Sequence, residues 1–174
     1  MTYPQGSRSG LRRTAIATAS VQLALLLVAF ALGGSLYEHL VVDTVWPDHP
    51  QVIQPGHGGI DRKLFWIPIH VVLTLALIAA LVASWVWPGA RRQLWIAIGC
   101  YAIMRAWSGV YFIPLALQFE AEAAVGPATR EAARTWVLLS MLRAPLLIGS
   151  LIALARASRL LRATVTEAHA RDGG

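Results

Sequence analysis

Four ionisable residues lie inside or at the end of long apolar runs, where charged side chains are rare. Arg105 occurs in YAIMRAWSGVYF, Arg143 in LLSMLRAPLL, His70 in FWIPIHVV, and Glu38 near the end of GGSLYEHLVV. A charged group within hydrocarbon is costly, so each of these side chains needs a partner or a function. At about 1.5 Å of rise per residue, the two arginines and the histidine fall about 9–18 Å below the outer ends of their helices. The pattern therefore predicts one polar pocket in the outer half of a helical bundle.

Aromatic residues accompany these groups at helical spacing. Tyr101 shares one helical stripe with the arginine of the third run, and Trp107 and Tyr111 lie on an adjoining stripe. Trp66 precedes His70 by four residues, so we expect its indole to lie over the face of the imidazole. We therefore predict that aromatic side chains line the pocket.

This set of residues favours the binding of a small anionic or phenolic molecule. Arg105 and Arg143 could clamp its oxygens, while Glu38 and the aromatic residues complete the binding surface. The same set could support catalysis, with His70 as general base and Arg105 stabilising the enolate that forms. We thus expect His70 and Arg105 to be the catalytic residues if the protein is an enzyme.

Metal and cofactor sites are not expected. A metal would need Glu38, His39 and His70, but neighbouring residues on a helix point about 100° apart, and the arginines would repel a cation. The sequence has no nucleotide-binding glycine motif, no HExxH and no c-type haem attachment motif. The single Cys100 excludes an intramolecular disulfide and a multi-cysteine metal site.

A structural interpretation of the same residues stays open. Arg105 and Arg143 could bond to backbone carbonyls or to Glu38, or extend outward to the membrane surface. His70 could be an ordinary hydrogen-bonding partner between helices. Tryptophans and tyrosines near the ends of apolar runs are typical of a membrane–water interface.

The elements that must position these groups are four long apolar segments. Each is long enough to cross a bilayer core of about 30 Å as a helix. With 56% hydrophobic and 14% charged residues, the chain differs strongly from a water-soluble domain. We predict an all-α, four-helix transmembrane bundle over residues 14–157, with spans at about 15–37, 64–87, 94–117 and 135–155. Gly33 and Gly34 would let another helix approach the first span closely.

Basic residues predict the orientation of the bundle. Nine arginines lie in the N-terminal tail, the connection between spans two and three, and the C-terminal tail; the other two loops hold four basic residues among acidic ones. By the positive-inside rule both termini are cytoplasmic, in a multi-pass protein of the plasma (inner) membrane. The net charge of +6 therefore reflects topology, and we expect no nucleic-acid partner.

The remaining segments are two tails and two loops. We expect a disordered tail over 1–13, a basic tail over 158–174 that continues as a helix to about His169, and a short interfacial helix in 118–134. Residues 43–63 are rich in Pro and Gly, which indicates a compact cap over the outer end of the bundle. A cleaved signal peptide is the alternative for the first span, although that span is longer than a typical signal sequence.

Several of these features resemble one known family. GGSLYEHLVV, the loop VWPDHPQVIQP, the FW-x-P-x-H start of span two and the four-span layout are similar to small four-helix bacterial membrane proteins of the anthrone-oxygenase-like family. The resemblance covers the N-terminal half and the overall layout. It implies cofactor-independent oxidation of an anthrone-type polyphenol to a quinone, with His70 and Trp66 in the site.

Two functional hypotheses follow. The first is a membrane protein whose outward-facing pocket binds a small lipophilic aromatic or anionic molecule, with oxygenase-like turnover as an extension. The second is a non-catalytic membrane module, either a transporter subunit or a structural partner in a complex. The expected partners are the lipid bilayer, the small molecule and, in an oligomer, further copies of the chain.

Overall fold

The fold is built from helices in a computed structural model that describes residues 5–121 and 126–172. Six α-helices follow one another in these residues: α1 (Gln5–Tyr37), α2 (Lys63–Ala83), α3 (Pro88–Trp107), α4 (Ile113–Ala121), α5 (Pro127–Met141) and α6 (Ala144–Asp172). A π-helical segment, Ser108–Phe112, joins α3 to α4, and a two-residue turn joins α5 to α6. The six helices therefore form four long rods.

Each rod contains a stretch that is long and apolar enough to cross a membrane. These stretches are Arg12–Val42, Lys63–Ala83, Pro88–Ala121 and Pro127–Thr164. The four long apolar helical stretches that the sequence predicted are thus present in the predicted order, and the all-α class is confirmed. The second helix is shorter than the predicted span 64–87. It stops at Ala83 because Trp87, the residue before Pro88, adopts an extended backbone (φ −106°, ψ 94°).

The helices continue into regions that we expected to be tails. Residues 5–13, predicted to be disordered, form the first turns of α1; residues 1–4 lie outside the described part of the chain. Extending a helix that has already formed adds one hydrogen bond per residue, so it needs little further stabilisation. At the other end, α6 runs through the basic tail as predicted, and Leu161 still belongs to the buried core. The bundle therefore extends beyond residue 157.

Two helix irregularities lie beside each other in space and follow from proline. A proline inside a helix lacks the N–H that would bond to the preceding turn. Pro114 comes directly after the π-helical segment, and Pro145 follows the turn at Leu142 and Arg143. Around that turn, the N–H of Arg143 bonds to the carbonyl of Ser140 at 3.2 Å. The prolines supply no N–H to the carbonyls of Val110 and Met141, one turn earlier, and both of these residues are exposed.

The rods pack unevenly. The first rod lies between α2 and α6, and α3 packs along α6, whereas α2 contacts α3 only weakly and α4 hardly at all. Small residues at helical spacing on α1, among them Ala17, Ala24 and Ala31, are fully buried and permit close packing. The weakly packed side, between α2 and the α3–α4 rod, is where the bundle leaves a gap.

The cap (residues 43–62) covers one end of the bundle, which we term the cap end. It contains two short 3₁₀ turns, Pro50–Ile53 and Pro55–His57. Trp46 and Ile53 are fully buried and pack with Phe112, Phe119 and Trp136 in a second core. The cap is therefore compact and packed onto one end of the bundle. In the loop at the same end that follows α4, residues 122–125 lie outside the described part of the chain, and the helix expected within 118–134 is the start of α5.

Candidate functional site

A cavity of about 670 Å³ fills the gap between α2 and the α3–α4 rod, in the half of the bundle near the cap. This volume is typical of small-molecule sites. Five of the predicted site residues line it: Glu38, Trp66, His70, Arg105 and Arg143. The structure thus brings residues from all four rods to one hollow.

Three predicted site residues lie outside this lining. Trp107 and Tyr111 pack against Phe112, with ring centroids 5.3 and 5.0 Å from it, and belong to the second core. Their position in the second core, outside the cavity lining, does not support their prediction as ligand-binding residues. Tyr101 is buried, and its hydroxyl lies 3.1 Å from Nδ1 of His70 and 3.2 Å from Oγ1 of Thr74, two residues that line the cavity.

Arg143 occupies the break between α5 and α6. Its Nε donates to the carbonyl of Ser140 at 3.2 Å, and its Nη1 donates to Oγ of Ser108 on the π-helical segment at 3.2 Å. The guanidinium also lies 4.2 Å from the ring centroid of Phe112, a cation–π distance. These contacts hold the guanidinium in place but supply no negative charge.

Arg105 lies on α3, three residues before Ser108 and on the same stripe as that serine. It also lines the cavity. Within residues 5–121 and 126–172, neither Arg105 nor Arg143 forms an ion pair with a carboxylate within 4.0 Å. A charge taken out of water without a counter-ion is unfavourable. The two arginines thus line the cavity without a direct ion pair, while Glu38, which lines the same cavity, attracts Arg143 at longer range.

Glu38 begins a second π-helical segment, Glu38–Val42, at the end of α1. Its Oε2 accepts a hydrogen bond from Nε1 of Trp66 at 3.0 Å, and its Oε1 lies 3.5 Å from Nη1 of Arg62. We expected Glu38 to face the two intramembrane arginines. Its direct partners lie on α2 and in the cap, while Arg143 acts on it only at longer range, and its hydrogen bond with Trp66 holds that indole against the cavity.

A group of ion pairs crosses the cap end of the cavity. Arg62, which is only 9% exposed, reaches Glu38 and also Glu120 (3.5 Å), and Lys63 contacts Glu120 at 2.7 Å. The guanidinium of Arg62 lies 5.5 Å from the ring centroid of Trp136. From the sequence, Arg62 and Lys63 were counted only as loop charges. The sequence carried one signal for these ion pairs: Glu38 and Glu120 lie at the ends of the first and third predicted spans, on the same side of the bundle.

His70 is held by contacts on two sides. The indole of Trp66 stacks on the imidazole, with centroids 5.5 Å apart and planes at 20°, as the spacing predicted. On the other side, Nδ1 lies 3.1 Å from Oη of Tyr101. The Tyr101 hydroxyl donates to the carbonyl of His70 at 3.1 Å, so its oxygen is free to accept from an Nδ1–H. With the proton placed on Nδ1, facing the Tyr101 hydroxyl, Nε2 is the basic nitrogen of His70; the other tautomer reverses the two roles.

A second buried histidine lies outside the cavity lining. Nδ1 of His39 is 2.6 Å from Oδ2 of Asp43, whose other oxygen accepts from Nε1 of Trp46 at 2.8 Å. These contacts turn His39 away from Glu38, as expected for neighbours on a helix. Within the described residues, no three His, Cys, Asp or Glu side chains are grouped so that they could hold a metal ion.

The fold and the site together define a class: a four-rod helical protein with a cationic, aromatic-lined cavity. Comparisons with protein-family models, with curated proteins and with solved structures found no match for this chain. Its function is therefore inferred from the geometry of the bundle and the cavity.

Proposed function

We propose that this chain is a multi-pass protein of the plasma (inner) membrane that binds a small lipophilic anion in the cavity. Large apolar side chains cover the outside of the rods; Leu26, Leu75, Val82 and Leu138 are each more than 60% exposed. A surface of this kind is unfavourable in water and matches the hydrocarbon of a bilayer. The distribution of arginines supports cytoplasmic termini, with the cap outside.

The observation that carries the binding proposal is the pair Arg105 and Arg143. Both line one cavity, and neither has a carboxylate counter-ion within 4.0 Å in the described part of the chain. An anionic oxygen between them would accept charge-assisted hydrogen bonds, which are stronger than neutral ones. The ring of Trp66 and the side chain of Phe112 offer apolar contact to the rest of the molecule.

A matched pair of probes tests this proposal. The purified protein, in lipid nanodiscs, is titrated with 2-naphthoate and with the neutral 2-naphthamide, and heat is measured against empty nanodiscs. We expect the acid to bind and R105L or R143L to weaken it at least ~10-fold, because a hydrogen bond to a charged group contributes about 1.5–3 kcal/mol. The amide should respond little.

Arg91 provides the control for removing a charge. It lies at the opposite end of the bundle, where its Nη1 donates to the carbonyl of Trp85 at 3.1 Å. R91L should leave naphthoate binding unchanged. Equal binding of acid and amide, or equal effects of all three arginine variants, would contradict an anion site.

Catalysis is the second candidate, and the basic Nε2 of His70 favours it. A base beside two cationic groups could remove a proton from an acidic C–H and stabilise the resulting enolate. The resemblance to the anthrone-oxygenase-like family points to an anthrone as substrate and dioxygen as oxidant. One oxygen atom would end as a ring carbonyl, and the other would leave as water after two hydrogens are lost.

The catalytic proposal is tested by supplying anthrone to the nanodisc-embedded protein. Oxygen uptake and quinone absorbance should rise together in the wild-type protein and in R91L. H70A should abolish both signals while the protein elutes unchanged on size exclusion. Turnover that is retained in H70A would show that His70 is not the base, and absence of turnover in the wild type would leave the protein a binder.

The non-catalytic module is the competing function. The bonds from Arg143 to Ser108 and Ser140 support it, since they join α3 to the α5–α6 break. If Arg143 serves only to join the helices, R143L lowers thermal stability and leaves the affinity for 2-naphthoate unchanged. If the cavity is an anion site, the same variant lowers both.

A further inference from the structure

The cavity has an apolar side that faces outward between α2 and α4. Ile67, Val71 and Leu75 follow one stripe of α2 at intervals of four residues, and Ile113 and Leu117 do the same on α4. All five line the cavity, and all five are 42–62% exposed. They therefore form the rim of a lateral opening, which we term the side opening.

Among residues 5–121 and 126–172, charged pairs cross the cap end of the cavity. Arg62 there bridges Glu38 and Glu120, and Lys63 adds a 2.7 Å contact to Glu120. Above Arg62 lies Trp46, which is 1% exposed. A solute arriving from water at this end would have to separate several charged pairs. This differs from the pocket open to the outside that the sequence led us to expect.

The charged side chains of the cavity and its apolar side chains occupy different regions. The guanidinium groups of Arg105 and Arg143 and the basic nitrogen of His70 lie on the inner lining, and the side opening leads from them to the surface that faces lipid. A molecule matching this arrangement has an acidic group at one end and hydrocarbon at the other. Such a molecule concentrates in a bilayer rather than in water.

We propose that the ligand is a single-chain amphiphile with an acidic head, a carboxylate or a phosphate, that enters from the bilayer through the side opening. Its head lies between Arg105 and Arg143, and its chain leaves between Val71 and Leu117. This inference depends on the anion site proposed above and adds the ligand class and the route.

The experiment compares long and short forms of the same heads. Radiolabelled palmitate and hexadecyl phosphate are equilibrated with protein-containing nanodiscs, and binding to empty nanodiscs is subtracted; butyrate and inorganic phosphate are the short forms. We expect saturable binding of at least one long form, and at least ~100-fold weaker binding of both short forms. The preferred head distinguishes a fatty acid from a lipid phosphate.

Variants that block the side opening provide the decisive test of the entry route. V71W and L117W place a large ring at exposed rim positions, and L138W places the same ring on α5, outside the cavity lining. The two rim variants should weaken binding of the long form at least ~10-fold, and L138W should leave it unchanged. A palmitate with a diazirine on its chain, used with the wild-type protein, should label α2 and α4 near the rim.

Opposite results overturn the inference in distinguishable ways. Short anions that bind as tightly as long ones, rim variants that bind normally, or photolabelling confined to the cap would rule out lateral entry of an amphiphile. If R105L and R143L still weaken binding in that case, the anion site itself stands. If neither variant changes binding of any probe, the anion site fails, and the lateral route fails with it.

Discussion

Nη1 of Arg143 lies 3.2 Å from Oγ of Ser108, and this hydrogen bond links the break between α5 and α6 to the π-helical segment of the third rod. Two helix irregularities that proline imposes therefore meet at one side chain. The serine oxygen also donates to the carbonyl of Met104 at 2.8 Å, which leaves its lone pairs free to accept from the arginine. A cation is thus positioned at the cavity by a neutral hydroxyl.

Ser108 should matter for ligand affinity through this contact. In S108A, Arg143 loses one fixed hydrogen bond, worth about 1 kcal/mol, and its guanidinium becomes more mobile. We expect 2-naphthoate binding to weaken by roughly 5-fold in titrations on nanodiscs. S140A is the matched control, because the arginine uses the backbone carbonyl of Ser140 rather than its hydroxyl. A larger loss in S140A than in S108A would show that this hydrogen bond does not position the cation.

Tyr101 should act through His70. In Y101F the hydroxyl that faces Nδ1 is removed, so neither the orientation nor the tautomer of the imidazole remains fixed. We expect anthrone turnover, where it is observed, to fall roughly 10-fold or more, with little change in naphthoate affinity. Y111F removes a hydroxyl from the second core, outside the cavity lining, and should retain wild-type turnover. Similar losses in both variants would point to a general packing effect.

The glycine pair on α1 provides a stability test with an internal control. A Cβ at Gly34 would lie 2.7 Å from Cζ of Phe65, whereas a Cβ at Gly33 would meet nothing within 4 Å. G33A should stabilise the helix by up to about 1 kcal/mol. G34A should instead destabilise the protein by about 1–3 kcal/mol, because the Phe65 ring must move and it packs edge-on to Trp66. Thermal unfolding in detergent measures both; equal shifts would contradict the close approach.

Arg62 should hold the cap end of the cavity together. In R62Q, Glu38 and Glu120 lose their shared cation in a largely buried position, which we expect to cost about 3 kcal/mol or more of stability. R134Q removes an arginine that pairs with Asp48 on the exposed surface, where such pairs contribute little. Thermal unfolding of the two variants in parallel checks the difference. Comparable midpoints would mean that the ion pairs at the cap end are not coupled to folding.

Hydropathy and local spacing were enough to predict most of the bundle. Four long apolar runs fixed the number of rods, and a separation of four residues placed Trp66 over His70 because both lie on one uninterrupted helix. The glycine pair also indicated that another helix could approach the first span closely, and α2 does so where Phe65 meets Gly34. These inferences depend only on contacts within a helix or on burial, which sequence patterns report directly.

Other features depend on contacts between distant parts of the chain. Arg62 and Glu120 are 58 residues apart, and nothing local to either predicts that they meet. The third rod also departs from a regular α-helix, since Tyr111 lies in the π-helical segment, where the wider turn breaks the α-helical spacing that placed it with Trp107 on a stripe adjoining that of Arg105. Packing and helix irregularity therefore determined which aromatic residues reach the cavity.

The central claim is that Arg105 and Arg143 together form an anion site inside the bundle. Its most direct test is the affinity of the nanodisc-embedded protein for 2-naphthoate in the wild type, R105L, R143L and the R91L control. The account predicts at least ~10-fold weaker binding in each cavity variant, wild-type affinity in R91L, and little change for 2-naphthamide. Unchanged naphthoate affinity in both cavity variants, with the protein still folded, would contradict it.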